Sequence, residues 1–148
     1  MNIPSTDLTQ RPPRSARVRL GGYALLPRML DKGRAELAGK SGEYRYNCPL
    51  DQRLLEFLGV DAGPLRAELA KGKGDGEILE WIRVNQRSRH APAEIAAWSE
   101  EQANRTPDAE VQDFFNELLT AAGPHRTDIK TWADLLDLDD YVSFGGKA

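Results

Sequence analysis

Proline and glycine cut this chain into short helical lengths, and that punctuation constrains its fold more than any other feature. Pro27, Pro49, Pro64, Pro92 and Pro107 each open a segment that reads as helix. Proline lacks an N–H and has a fixed φ, so the first turn of a helix accepts it where the interior does not. Leu26, Met29, Leu30, Gly33 and Leu37 recur at the i, i+3, i+4, i+7 spacing of one buried helix face, and the run Ala38-Gly39-Lys40-Ser41-Gly42 ends it. Leu50, Leu54, Leu55 and Leu58 form the next stripe. A third helix is predicted over 64–70, and a fourth from Glu77 to about Gln86 with Asp75 as its N-cap. A fifth starts at Pro92 with Ile95, Ala96 and Trp98. Thr106 caps a sixth with Pro107 at its first position, and Val111, Phe114, Phe115, Leu118 and Leu119 give it the best amphipathic pattern in the chain. Thr131 caps the last, with Trp132, Leu135 and Leu136.

Between the first two helices, Glu43-Tyr44-Arg45-Tyr46-Asn47-Cys48 alternates like a short extended segment without a partner. The pattern predicts an all-α fold: a compact bundle of six or seven short helices with an irregular extended loop near residues 43–48. Residues 1–16, polar and proline-bearing, read as an extended N-terminal arm, residues 17–143 as a single helical domain, and residues 144–148 as a loose C-terminal tail.

A chain of 148 residues is long enough to bury a core without disulfides or metals. Its single cysteine cannot form an internal disulfide, and no apolar run approaches the ~18 residues of a membrane span. With no apolar stretch in the first residues to act as a secretory signal, the cytoplasm is the expected compartment and no membrane partner is expected. A formal net charge of -3 argues against general nucleic-acid binding, which needs a surplus of Lys and Arg. The charge is unevenly placed: residues 1–60 carry ten Lys/Arg against six Asp/Glu, and residues 61–148 carry ten against seventeen.

The block from Arg17 to Gln52 gathers the residues best suited to a site. Gly21-Gly22, behind Arg17 and Arg19 and ahead of a helix, suits a phosphate or carboxylate held by backbone N–H groups and guanidinium. The competing reading is a tight turn, with the arginines pairing to the acidic second half. Tyr23, Tyr44 and Tyr46 cluster with arginines and Asn47, either lining a pocket or anchoring the loop through their hydroxyls. Cys48 precedes Pro49 at a helix start, where the helix dipole and Arg45 would favour a thiolate nucleophile, with Asp51, His90 or His125 as its partner; a packed, inert cysteine is the alternative. Lys71-Gly72-Lys73-Gly74 lacks the Ser or Thr of a phosphate loop. Asp134, Asp137, Asp139 and Asp140 lack the calcium-loop spacing, and one Cys with two distant His makes no zinc pattern, so no metal is expected. Three functions follow. The first is binding of a small anionic molecule or a protein partner through Arg19, Gly21, Gly22, Arg34, Tyr44, Tyr46 and Asn47. The second is a cysteine-dependent enzyme using Cys48. The third is an adaptor with an acidic docking face.

Arg19-Leu20-Gly21-Gly22-Tyr23, Leu26-Pro27-Arg28-Met29-Leu30-Asp31-Lys32, Leu37-Ala38-Gly39-Lys40, Gly42-Glu43-Tyr44, Tyr46-Asn47-Cys48-Pro49-Leu50-Asp51-Gln52 and Ala93-Glu94-Ile95-Ala96-Ala97-Trp98-Ser99 together carry a resemblance. From about Thr9 to its end the chain resembles a bacterial family known as domain of unknown function 5069. That family has no assigned activity, so the resemblance implies no ligand, no cofactor and no catalytic residue.

Overall fold

A computed structural model describes residues 4–148; the first three residues of the predicted arm lie outside the described residues. The chain begins with an irregular stretch, then forms a two-stranded antiparallel hairpin, β1 (Arg19–Leu20) and β2 (Tyr23–Ala24), with Leu20 opposite Tyr23. Seven α-helices follow among the described residues: α1 (Leu26–Leu37), α2 (Pro49–Leu58), α3 (Ala62–Ala70), α4 (Asp75–Asn85), α5 (Pro92–Asn104), α6 (Gln112–Ala122) and α7 (Trp132–Ser143). The fold is all-α apart from the hairpin, and residues 43–48 form an irregular loop without helix or strand. No helix is long and apolar enough to cross a membrane.

The hairpin stands where a turn-only reading of Gly21-Gly22 sufficed. Both glycines have positive φ, 60° and 86°, as a two-residue hairpin turn of the favoured twist demands. A Cβ on Gly21 would stand 2.7 Å from the Leu79 side chain, so the turn also presses close to α4. Buried Ser99 on α5 clamps the hairpin from its other side: its hydroxyl donates to the Gly22 carbonyl (2.6 Å) and accepts from the Ala24 N–H (2.9 Å).

Helix α1 is the axis of the molecule. Every residue from Leu26 to Ala35 is buried, which leaves the helix no solvent face over that stretch. Leu26, Met29 and Leu30 pack with Leu54 and Leu58 of α2, Leu65 and Leu69 of α3, and Ile78 and Ile82 of α4. A helix enclosed on all sides must carry its charged side chains inward, and a buried ion costs several kcal/mol unless a partner offsets it. Each charge here has one. Arg28 meets Asp140 of α7 (2.8 Å), Asp31 meets Arg14 (2.9 Å), Lys32 meets Asp51 of α2 (2.9 Å) and Arg34 meets Asp75 of α4 (2.8 Å). Asp75 is therefore the first residue of α4 and not its N-cap, a position that Gly74 takes.

Residues 4–16 have no helix or strand, but Leu8 and Ala16 are buried, and the Leu8 N–H donates to the Lys40 carbonyl (2.9 Å). A second, smaller core lies between α6 and α7, built from Phe115, Ile129, Leu135 and Leu138. The predicted helix from Thr106 starts later: a 3₁₀ turn covers Ala109–Val111 before α6 begins, and Pro107 lies ahead of both. Its apolar stripe also divides. Phe115 is buried and Leu119 packs beside it, whereas Phe114 and Leu118 remain exposed.

Candidate functional site

A cavity of about 860 Å³ opens between α1, the loop that follows it, and α7. α1 contributes Arg28 and Lys32, which stand one helical turn apart on the same face. The loop supplies Glu43, Tyr44, Arg45 and Cys48, and α7 supplies Asp139 and Ser143. Leu8, Leu50, Leu136 and Phe144 form its apolar lining.

The wall around Cys48 is built by the start of α2. Asn47 adopts a left-handed conformation, φ 63°, which asparagine accepts more readily than most residues. Cys48 then takes the N-cap position and Pro49 the first turn. Asp51, in that first turn, accepts a hydrogen bond from the Asn47 N–H (2.9 Å) through Oδ2 and one from Lys32 Nζ (2.9 Å) through Oδ1. Lys32 Nζ lies 3.3 Å from Cys48 Sγ. Asp51 and Lys32 are both buried, so the thiol sits beside an ammonium whose position is fixed from behind by a carboxylate.

The opposite wall is set by Asp140. It receives both ends of the Arg28 guanidinium, at 2.8 and 3.2 Å, and the Tyr44 hydroxyl at 2.7 Å. The guanidinium also lies over the Tyr44 ring, 5.5 Å from its centroid. Burial first, and then the bond to Asp140, push the Tyr44 phenol well above its ordinary pKa. Burial alone would lower the Arg28 pKa, but the hydrogen bond and negative charge of Asp140 outweigh it and raise it. Burial, reinforced by the charge of Asp140, raises the Asp139 carboxyl above the ordinary carboxylate value. Arg45 is exposed at the rim and forms no ion pair among the described residues.

The candidate residues of the sequence do not converge on one place. Tyr44 and Cys48 line the cavity. Tyr46 turns the other way, into the core against Gly33, and its hydroxyl donates to the Ala62 carbonyl (2.7 Å). Asn47 acts through its backbone, with the Gln52 side chain donating to its carbonyl (3.1 Å). Arg34 is taken up by Asp75 and the Lys73 carbonyl. Gly21 and Gly22 form the hairpin turn, and Arg19 pairs with Glu100 of α5. Arg17 is held by Asp134 and Asp137 of α7, so the arginines of this block do pair with the acidic second half. Neither histidine lines the cavity of Cys48: His90 stacks on Phe57 with ring centroids 4.0 Å apart, and His125 is exposed. Arg28 and Lys32 were missed by sequence reasoning, although their i, i+4 spacing was the signal that could have found them.

The family model for a domain of unknown function (DUF5069) matches residues 10–142. The chain belongs to that family. No curated protein matches it. In this DUF5069 protein, all of the charged cavity residues named above, with Tyr44 and Cys48, fall inside the matched stretch, and among the lining residues Leu8, Thr9, Ser143 and Phe144 lie outside it.

Proposed function

We propose that this DUF5069 protein binds a small anionic molecule in the cavity between α1, the 42–48 loop and α7. The observation that carries this reading is the meeting of three cations on its wall, Arg28 and Lys32 fixed in place by Asp140 and Asp51 and Arg45 at the rim without a partner among the described residues, with Glu43 and Asp139 as the carboxylates of the same lining. Its volume of about 860 Å³ lies in the range of roughly 300–1,000 Å³ that small-molecule sites occupy. Leu50, Leu136 and Phe144 offer an apolar surface for the rest of such a ligand. The test is calorimetric titration at low salt with inorganic phosphate, pyrophosphate, phosphorylated sugars and dicarboxylates, on wild type and Arg45→Ala. Binding that weakens about tenfold or more in the variant supports the site, in line with loss of a charge-assisted contact. Equal affinity for both proteins overturns it.

A second reading, a cysteine-dependent enzyme, is favoured by the 3.3 Å approach of Lys32 Nζ to Cys48 Sγ, which sets a hydrogen-bond donor against the sulfur at the cavity wall. Asp51 then holds Lys32 and not the thiol itself. Turnover of a bound ligand by wild type and its loss in Cys48→Ser, with binding retained, would establish that reading. A single unpaired thiol suits the reducing cytoplasm, which is the compartment we propose.

A further inference from the structure

We infer that the outer face of α6 is a docking surface for a basic amphipathic helix of a partner protein. Phe114 and Leu118 stand one turn apart on α6, Val111 precedes them in the 3₁₀ turn, and the three are 55%, 40% and 37% exposed. They form a continuous apolar row on an outer helix, and such rows mark interaction sites more often than scattered apolar residues do. α6 packs on α7 through Phe115 and Leu119, about 100° round the helix from Phe114 and Leu118, so the row flanks the small core on its solvent side.

Charge selects the occupant. Glu110, Asp113 and Glu117 precede the three apolar residues by one position each, which sets Asp113 and Glu117 beside Phe114 and Leu118 on α6 and Glu110 beside Val111 in the 3₁₀ turn ahead of it. All three are exposed, and residues 106–124 contain no Lys or Arg. A helix with an apolar stripe flanked by Lys or Arg complements both rows at once by packing alongside α6. A second copy of this chain would bring carboxylate row against carboxylate row, and an anionic lipid surface would be repelled. This inference is independent of the cavity.

The experiment uses the full chain and two labelled synthetic helical peptides. They share one leucine stripe, flanked by lysines in the first and by glutamates in the second. Fluorescence anisotropy at low salt is expected to show binding of the lysine peptide only. Reversing the row with Asp113→Lys and Glu117→Lys should weaken binding at least about tenfold, as should Phe114→Ser with Leu118→Ser. Circular dichroism checks that both variants keep their fold, which the exposure of the four positions favours. Absence of binding, equal binding of the glutamate peptide, or indifference to either variant overturns the inference. So does a wild-type dimer in sedimentation that Phe114→Ser dissociates, or binding of phosphatidylserine vesicles through the same row.

Discussion

Helices α1 and α6 are nearly equal in length and treat their residues in opposite ways. α1 carries Arg28, Asp31, Lys32 and Arg34 and buries all four; α6 carries Phe114 and Leu118 and leaves both exposed. Composition would assign them the reverse positions. The difference lies in their surroundings: α1 is enclosed, so each charge is met by a residue from a distant part of the chain, while α6 leans on α7 and keeps only one strip dry. Burial in this molecule follows the arrangement of the neighbours, and charge is admitted to the interior wherever an opposite charge can be brought to it.

The sharpest way to break this contrast is to remove one of the distant partners. Asp140→Ala strips Arg28 of its carboxylate and Tyr44 of its acceptor inside the protein, and should cost about 3–5 kcal/mol of stability in urea unfolding. A loss near zero would mean that the buried pair is dispensable. Ser99→Ala leaves the Gly22 carbonyl and the Ala24 N–H without their partner, and a loss of about 1–3 kcal/mol is expected from the same measurement.

A smaller effect concerns the cavity. Asp139 has a raised pKa in the fold, so the folded protein holds that proton more tightly than the unfolded chain. Lowering the pH through the window between the unfolded and the folded value therefore favours the folded state, and raising it through the folded value removes that contribution. Protonation also takes a negative charge off a wall that Arg28, Glu43 and Asp140 influence. Affinity for a sulfonate, whose own charge is constant, should rise as the pH is lowered from neutrality and Asp139 takes up its proton. Asp139→Asn should flatten that profile. Smallest of all, Phe114→Ser should change stability by less than about 0.5 kcal/mol, because an exposed ring on α6 holds nothing inside. A loss comparable to that of Asp140→Ala would erase the contrast between the two helices.

Much of the fold was legible because proline and capping residues act locally. Pro27, Pro49 and Pro92 stand in the first turns of α1, α2 and α5, and Thr131 caps α7 by accepting from the Asp134 N–H. The hairpin was not legible, since strands of two residues are too short to show a period. Nor was the start of α6, where Pro107 stands before a 3₁₀ turn and not in the helix. At the cavity, Tyr44 and Cys48 stood out by residue type. Arg28 and Lys32 did not, because a cation pair at i, i+4 looks like a solvated helix face until Asp51 and Asp140 are known to lie opposite. Tyr44 and Tyr46 looked equivalent, but the turn at residues 46–47 sends one to the cavity and the other to the core.

Cys48 is the only cysteine and lines the cavity, so it reports on the charge there without any knowledge of the ligand. The decisive measurement compares its alkylation rates with iodoacetate and iodoacetamide, near-isosteric reagents of which only the first is anionic, referenced to the neutral thiol 2-mercaptoethanol at low salt. The cation set predicts an iodoacetate-to-iodoacetamide ratio several-fold above that reference, falling towards it in Arg45→Ala and at high salt. A ratio at or below the reference would contradict an anion-binding cavity.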